Sequence, residues 1–264
     1  MTIRYEVDDG VATITIDRPE KRNAMTYAIL GQFNQAITDA GADDAVRAVI
    51  ITGAGGAFCA GTDLSDLQST PEDQRGGRGA ESRPDGGAAP RTAWPIVACP
   101  KPVIAAVDGA AAGMGAEFAT QCDVRIASTR ARFAWIFVLR GLVADTGAGT
   151  FLLPRQIGVT AALRLLYSGE FIDAEEALRL GFVSAVVEPD DLLAAANAEA
   201  RRFLAGSPFA VRRTKQLVYE GLTASVGDHI RSTGKLLEEC FHSDDHREGV
   251  AAFLERRAPN FTGR

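Results

Sequence analysis

The N-terminal part of the chain shows two hydrophobic periodicities, one typical of β-strands and one of α-helices. Residues 3–7 and 11–16 alternate apolar and polar side chains, and the Asp-Asp-Gly sequence at 8–10 favours a hairpin turn between them. Residues 23–40 place apolar side chains at helical spacing, and 46–52 form a β-branched run typical of a buried strand. This part is therefore predicted to fold as strand, strand, helix, strand.

The rest of the chain continues this alternation and then becomes mainly helical. Short strands are predicted at 102–107 and 124–127, with a glycine-rich segment between them. Strands that alternate with helices imply right-handed crossovers and a largely parallel sheet. Asp173 is predicted to cap a helix, with Glu176 three residues later forming a capping box. The helix candidates after residue 160 are 161–167, 174–180, 192–204, 209–222, 226–241 and 244–257.

Residues 70–91 differ in composition from the rest of the chain. Gly, Pro, Arg, Asp and Glu crowd this segment, and large apolar side chains are almost absent from it. Such a segment cannot bury enough apolar surface to form a core. We therefore predict a mobile surface loop within one domain and not a linker between two domains.

Composition and charge exclude several classes of protein. The net charge of −6 and the pI near 5.2 argue against a nucleic-acid partner, because no long basic stripe offsets the acidity. The chain has no run of 18 uncharged apolar residues and its first residues do not resemble a signal peptide, so we expect a cytoplasmic protein without a membrane partner. The cysteines stand far apart without a C-x-x-C pair, which argues against zinc and disulfide frameworks: Cys59, Cys99, Cys122 and Cys240.

Two glycine-rich segments, 51–64 and 107–117, each follow a predicted strand. Glycine tolerates unusual dihedrals and lets the backbone approach a ligand closely, so these segments are candidates for binding through N–H groups. A dinucleotide fold would need G-x-G-x-x-G at the start of a helix, and Phe58 interrupts that pattern. His242 and His246 stand four residues apart, but no third metal ligand is indicated, so a solvated helix start is the favoured interpretation and no metal is expected.

Five segments resemble motifs of the enoyl-CoA hydratase/isomerase (crotonase) family, in the family's order and along nearly the whole chain. They are RPEKRNAM at 18–25, FCAGTDL at 58–64, KPVIAAVDG at 101–109, AEEALRLGFV at 174–183 and REGVAAFLERR at 247–257. Each segment alone is a modest match, and together they are specific. The chain is thus identified from its sequence as resembling this superfamily.

The resemblance implies an α/β crotonase-like fold, a spiral of repeated ββα units followed by a C-terminal helical trimerisation region. The spiral core would cover 1–200 and the helical region 201–264, as one continuous catalytic unit. A homotrimer or a dimer of trimers is implied. The substrate would be an acyl-CoA thioester, with no cofactor beyond its coenzyme A moiety, and the 70–91 loop would border the acyl pocket.

The resemblance also places an oxyanion hole at the backbone N–H groups of Thr62 and Met114. Residues 113–121 can form a short helix after a glycine-rich turn, which puts Met114 in its first turn. There the N–H lacks an intrahelical acceptor, and the helix dipole favours an anion such as a thioester enolate.

Glu117 aligns with one of the two acid/base glutamates of family hydratases. It follows Met114 by three residues, so both lie on one helix face. The second hydratase glutamate aligns with Phe137, which cannot transfer protons. Asp145 stands in a segment that resembles the one carrying the base of several family isomerases, and we predict that it is the partner of Glu117. The alternative without a catalytic role is that Glu117 caps a helix or forms a salt bridge and that Asp145 is an ordinary turn residue.

The remaining candidate residues come from the same alignment. The coenzyme A moiety would contact Arg18, Lys21, Arg22, Ala60, Asp63 and Leu64, and the substrate pocket would include Phe137 and Trp135. The leading hypothesis is an enzyme that hydrates or isomerises an unsaturated acyl-CoA, with Glu117 and Asp145 moving protons. The alternatives are a non-catalytic acyl-CoA-binding homologue, or another crotonase reaction such as thioester hydrolysis or decarboxylation.

Overall fold

A computed structural model of the chain describes residues 2–69 and 94–264. It begins with the predicted hairpin, in which β1 (Ile3–Asp8) pairs antiparallel with β2 (Val11–Ile16). Asp9 and Gly10 between these strands have φ values of 44° and 80°. An Asp-Gly pair tolerates this left-handed region, which explains why the turn could be predicted from the sequence.

Two sheets form the centre of the molecule. The larger sheet has the strand order β1-β2-β3-β4-β6-β9, and every pair after the first hairpin is parallel. The smaller sheet has the order β5-β7-β8. The prediction of a largely parallel sheet is therefore confirmed. The strands after the hairpin are β3 (Ala48–Gly53), β4 (Val103–Val107), β5 (Ala110–Ala112), β6 (Val124–Ser128), β7 (Arg132–Ala134), β8 (Ile172–Asp173) and β9 (Ala185–Val187).

Helices cover the sheets and dominate the C-terminal third of the chain. In chain order they are α1 (Tyr27–Ala42), α2 (Leu64–Ser69), α3 (Pro95–Ala98), α4 (Met114–Gln121), α5 (Ala148–Phe151), α6 (Leu153–Ile157), α7 (Val159–Ser168), α8 (Ala174–Arg179), α9 (Leu192–Leu204), α10 (Pro208–Gly221), α11 (Val226–Phe241) and α12 (Asp244–Glu255). The six helices predicted after residue 160 are confirmed, with ends that differ by at most two residues.

One predicted helix start and one predicted capping box need correction. The helix expected from residue 23 begins at Tyr27, because Asn23 has a φ of 60° and Thr26 is the N-cap that accepts a bond from Ile29 N–H. Asp173 caps α8 as predicted, but the other half of the capping box is not formed. The Glu176 carboxylate instead accepts hydrogen bonds from Arg164 and Arg179.

The large sheet has a different helical cover on each of its faces. Helix α9 packs its small apolar side chains, such as Ala196 and Ala200, against Ile50 and Ile104. The opposite face contributes to the larger core, which includes buried residues of α1 and α4. The predicted division at residue 200 falls inside α9, a helix that packs on the sheet along its length.

Three further predictions concern the chain as a whole. The predicted 70–91 loop lies outside the described residues. No helix in 2–69 or 94–264 combines the length and the apolar character needed to cross a bilayer. All four cysteines are free thiols, and three of them are buried.

Candidate active site

The two predicted oxyanion donors are brought together by a parallel bridge between Cys59 and Ala111. Cys59 N–H donates to Ala110 O at 3.0 Å, and Ala112 N–H donates to Cys59 O at 2.9 Å. Each predicted donor lies three residues beyond this bridge on its own segment, Thr62 on one and Met114 on the other. The register of a short backbone pairing thus sets the relative position of the two N–H groups.

Glycine is required where these two segments meet. A Cβ on Gly61, whose φ is 101°, would lie 2.9 Å from Ala112 O and 3.6 Å from Met114 N. A Cβ on Gly115 would lie 2.1 Å from Cys59 O, which is closer than real Cβ contacts come. Substitution at either glycine would push the first turn of α4 away from the 59–62 segment.

Neither predicted donor has a hydrogen-bond acceptor among the residues that the structure describes. Met114 is the first residue of α4, where an N–H lacks an intrahelical partner. Thr62 is held from its other side, because Met25 N–H donates to Gly61 O and Asp63 N–H donates to Met25 O, both at 2.8 Å. Two neighbouring unpaired N–H groups, one of them at the N-terminus of α4, suit the binding of an oxyanion.

Glu117 lies one turn into α4 and is fully buried. Thr146 Oγ1 donates to its Oε2 at 2.5 Å, and Gly149 N–H donates to its Oε1 at 2.8 Å. The pKa of Glu117 is raised to about 7, mainly by burial and also by the charge of Asp145, against hydrogen bonds from Thr146, Gly149 and Ala148 that lower it. A carboxyl group with this pKa can both accept and release a proton near neutral pH.

Asp145 lies in the turn that precedes α5, next to Thr146. The residue as a whole is exposed, but protein surrounds its carboxyl group closely enough for desolvation to be the main cause of its perturbation. This desolvation raises the pKa of Asp145 to about 6, against hydrogen bonds from the N–H groups of Thr146 and of Asp145 itself. The predicted pair is therefore a fully buried Glu117 and an Asp145 on an exposed turn, whose charge raises the pKa of Glu117.

The two predicted pocket residues occupy different places. Phe137 lies beside the oxyanion turn, with its Cζ 3.9 Å from the position of a Cβ on Gly113. Trp135 is 1% exposed, packs edge-on against Phe182 and donates its Nε1–H to Thr120. Its ring therefore lies in the interior of the protein beside Gly149, and its place in a substrate pocket stays a prediction.

The predicted coenzyme A contacts also divide into two groups. Arg18 and Asp63 bind each other at 2.8 Å and so join the 18–25 turn to the loop after Thr62, while their predicted contact with coenzyme A stays a prediction. Hydrogen bonds from Ser65 and Arg18 lower the pKa of Asp63 to about 2. Lys21, Arg22 and Leu64 are exposed and Ala60 is half-buried, so these four remain accessible to a ligand.

Sequence reasoning missed Thr146 and Gly149. Both donate to Glu117, and a Cβ on Gly149 would lie 2.3 Å from Glu117 Oε1. The proximity of Gly149 and Glu117 is tertiary, and only the glycine-rich composition around 147–149 could have drawn attention to it.

The other candidate side chains do not form a site. His242 Nδ1 contacts Glu238 O at 2.8 Å, whereas His246 packs edge-on against Phe241. No group of three potential metal ligands occurs within 2–69 and 94–264. Burial raises the pKa of Cys59 to about 12, so its thiol stays neutral and fills space in the core.

The buried charge of Glu117 should make stability depend on pH. An ordinary Glu titrates near 4.5, while the folded protein holds this proton up to a pKa of about 7. The stabilising contribution is complete below pH 4.5 and is lost as the pH rises through about 7. Over this window the wild type should lose about 3 kcal/mol of unfolding free energy relative to Glu117→Gln.

Urea denaturation of both proteins between about pH 5 and about pH 8 measures this difference. Glu170→Gln is the matched control, because Glu170 is exposed and should show no such trend relative to the wild type. A difference between wild type and Glu117→Gln that stays constant across the range would contradict a buried, perturbed carboxyl group.

Known proteins resemble this chain over nearly its whole length. The sequence profile of the Enoyl-CoA hydratase/isomerase family matches residues 6–264. The chain is 39% identical to a probable enoyl-CoA hydratase of Rhodobacter capsulatus over 263 residues, covering 100% of this chain and 98% of the relative. It is 35% identical to a 1,2-epoxyphenylacetyl-CoA isomerase of Escherichia coli, covering 99% and 98%.

A solved structure extends the similarity to the fold. The crystal structure of an enoyl-CoA hydratase from Bacillus anthracis superposes with a TM-score of 0.90 at 31% identity, and the match covers all of both chains. The spiral α/β fold expected from the sequence motifs is therefore confirmed. The chain belongs to the enoyl-CoA hydratase/isomerase family, with a crotonase fold.

Proposed function

We propose that this protein is an acyl-CoA enzyme that isomerises an unsaturated acyl-CoA thioester by moving a proton along its acyl chain. The N–H groups of Thr62 and Met114 would bind the thioester oxygen and stabilise its enolate. Glu117 and Asp145 would take the proton from one carbon and return a proton to another. The observation that carries the proposal is the buried Glu117 carboxylate, one helical turn from the unpaired Met114 N–H.

The chemistry follows from where negative charge develops. Removing a proton next to a thioester places charge on the carbonyl oxygen, and N–H groups already aimed at that oxygen lower the barrier without reorganising. A carboxyl group whose pKa is about 7 is a stronger base than an ordinary Glu and is still an acid near neutral pH. Burial is the main cause of this raised pKa, and it therefore suits Glu117 both to accept and to release a proton.

Phe137 is the reason to favour isomerisation over hydration. Hydration needs a group that activates water and a group that delivers a proton, and an apolar ring stands where family hydratases have their second glutamate. In this proposal the second proton-transfer group is Asp145, which lies in the turn before α5. Relatives of this chain bear names of both kinds, hydratase and isomerase, so hydration is the second candidate.

The acyl-CoA class of substrate is supported by the names of these relatives, several of which act on CoA thioesters. Lys21 and Arg22 offer exposed positive charge on the 18–25 turn, which Arg18 and Asp63 tie to the loop carrying Thr62. Phosphate groups of coenzyme A would be suitable partners for such charges. No cofactor beyond the coenzyme A moiety is part of the proposal.

An absorbance assay at the conjugated enoyl-thioester band tests the reaction. With a 3-enoyl-CoA the wild type should raise the band, because isomerisation brings the double bond into conjugation. With crotonyl-CoA the band should fall only slowly, since hydration destroys the conjugation. Rapid loss of the band would favour hydration instead, and no change with either substrate would indicate a protein that only binds acyl-CoA.

Replacing the two carboxyl groups separates their roles. Glu117→Gln and Asp145→Asn should each lower kcat by roughly 100-fold or more, the usual scale for a positioned proton-transfer group. The double variant should lose far less than the product of the two, because residues that act as one unit are not additive. Steady-state kinetics with the 3-enoyl-CoA measure both effects, and Glu170→Gln, exposed on the surface, serves as the control. Full activity in Asp145→Asn would remove Asp145 from the mechanism.

We also propose that the protein is a homotrimer or a dimer of trimers. The C-terminal helices expose large apolar side chains that a stable monomer would not leave in water. On α11 they recur along one helical face: Val226, Ile230, Leu237 and Phe241 are 78%, 65%, 50% and 56% exposed. On α12, Phe253 is 83% exposed, and Leu254 is 75% exposed.

Light scattering at micromolar concentration should give three or six times the 28.0 kDa mass of one chain. Ile230→Ser and Phe241→Ser together should lower that mass, because they place hydroxyl groups on the exposed apolar face of α11. Leu193→Ser is the control, since Leu193 is 47% exposed on α9, away from these helices. A wild type with the mass of a monomer would contradict the proposal.

A further inference from the structure

Thr146 and Gln121 form a polar pair behind Glu117. Thr146 Oγ1 donates to Glu117 Oε2 at 2.5 Å and accepts from Ala148 N–H at 3.3 Å. Gln121, on the last turn of α4, places its Nε2 3.4 Å from the same Thr146 oxygen. Gln121 is 1% exposed, and its Oε1 is buried without a hydrogen-bond partner in the part of the chain that the structure describes.

A buried amide oxygen without a donor is costly and calls for an explanation. Turning the terminal amide of Gln121 by 180° would bring this oxygen to the place that Nε2 now occupies, facing the Thr146 hydroxyl. The amide can thus either donate to Thr146 or accept from it. The unpartnered oxygen is in position to serve the second of these arrangements.

The partners of Glu117 differ in what they can do when it takes up a proton. The N–H groups of Gly149 and Ala148 can only donate, so they favour the carboxylate alone. A hydroxyl group has one hydrogen to donate and two lone pairs to accept with. Thr146 is therefore the partner, among those described, that can reverse its direction.

We propose that Thr146, backed by Gln121, is a reversible positioning residue that holds Glu117 both as a carboxylate and as a carboxylic acid. With the carboxylate, Thr146 donates to Oε2 and accepts from Ala148 N–H and Gln121 Nε2. When Oε2 is protonated, it donates to Thr146, which turns its own hydrogen to Gln121 Oε1. The hydroxyl uses its single hydrogen and both lone pairs in each arrangement, and no proton leaves the Glu117 site through it.

This inference rests on the proposed function, since a carboxyl group that stores a proton during turnover needs support in both states. The charged group that bears on Glu117 is Asp145, in the same turn as Thr146, and its negative charge favours the protonated form of Glu117. The turn itself is anchored by Trp94, whose Nε1–H donates to Thr146 O at 2.7 Å. The Thr146 hydroxyl is thereby held in place beside the carboxylate.

Two substitutions should move the pKa of Glu117 in opposite directions. Thr146→Val removes a donor to the carboxylate and should raise this pKa by about 1. Gln121→Met keeps the Thr146 donor and loses only the long 3.4 Å contact from Nε2 in the carboxylate state, but it removes the acceptor needed in the protonated state, and so should lower the pKa. Thr146→Ser should restore it toward the wild-type value, and Thr150→Val, on the same helix as Gly149 but bonded to Gly147 O, should leave it in place.

Infrared titration of the unliganded protein measures this pKa through the carbonyl stretch of the protonated acid, identified by its loss in Glu117→Gln. Turnover is not needed, so an inactive wild type would overturn the proposed function and not this inference. In an active enzyme, Thr146→Val and Gln121→Met should each lower kcat about 10-fold. They should shift the acidic limb of the pH profile of kcat in opposite directions. An unchanged pKa in Thr146→Val, or a raised one in Gln121→Met, would overturn the inference. Should Thr146→Val not fold, Thr146→Ala removes the same hydroxyl and is judged by the same result.

Discussion

The candidate site depends on the close parallel approach of two backbone segments at Cys59 and Ala111. This approach places Thr62 and Met114 side by side and puts the first turn of α4 against the 59–62 segment. Gly61 and Gly115 make it possible, because a side chain at either position would collide with a carbonyl oxygen of the other segment. The candidate donors are backbone groups, so the side chains of Thr62 and Met114 affect the shape of this site and not the presence of its N–H groups.

Burial of Glu117 is the second constraint, and it follows from the first. Helix α4 can approach the 59–62 segment only by entering the core, where all eight of its residues are buried. A carboxyl group in that position would be costly without partners, and the 146–149 turn supplies them. Glycine at 149 lets the turn come close enough to donate, since a Cβ there would overlap the Glu117 carboxylate. The same geometry that lowers stability at high pH gives Glu117 a pKa suited to proton transfer.

The same turn carries both Asp145 and the groups that hold Glu117. Asp145 is exposed on this turn, while Thr146, the next residue, reaches into the core. The hydrogen bonds from this turn to Glu117 therefore bring the two carboxyl groups near each other, and the charge of Asp145 raises the pKa of Glu117. Phe137 places an apolar ring beside the glycine turn that precedes α4, and the candidate carboxyl groups are those of the buried Glu117 and of Asp145 on the exposed turn.

The sequence by itself determined the first hairpin, the long strands of the parallel sheet, the helices after residue 160 and the family, but not the short strands β5, β7, β8 and β9. These features depend on local periodicity and on motifs, such as the β-branched 46–52 run and the 58–64 segment, that can be read along the chain. Sequence also pointed to Thr62, Met114, Glu117 and Asp145 as candidate site residues.

The sequence could not show which side chains meet across the fold. The pairing of Arg18 with Asp63, the interior position of Trp135 and the contacts of Thr146 and Gly149 with Glu117 join residues 29 to 45 positions apart, or place a ring in the interior of the protein. Only tertiary packing decides such contacts, because the pattern along a chain specifies which face of an element is buried and not what lies against it.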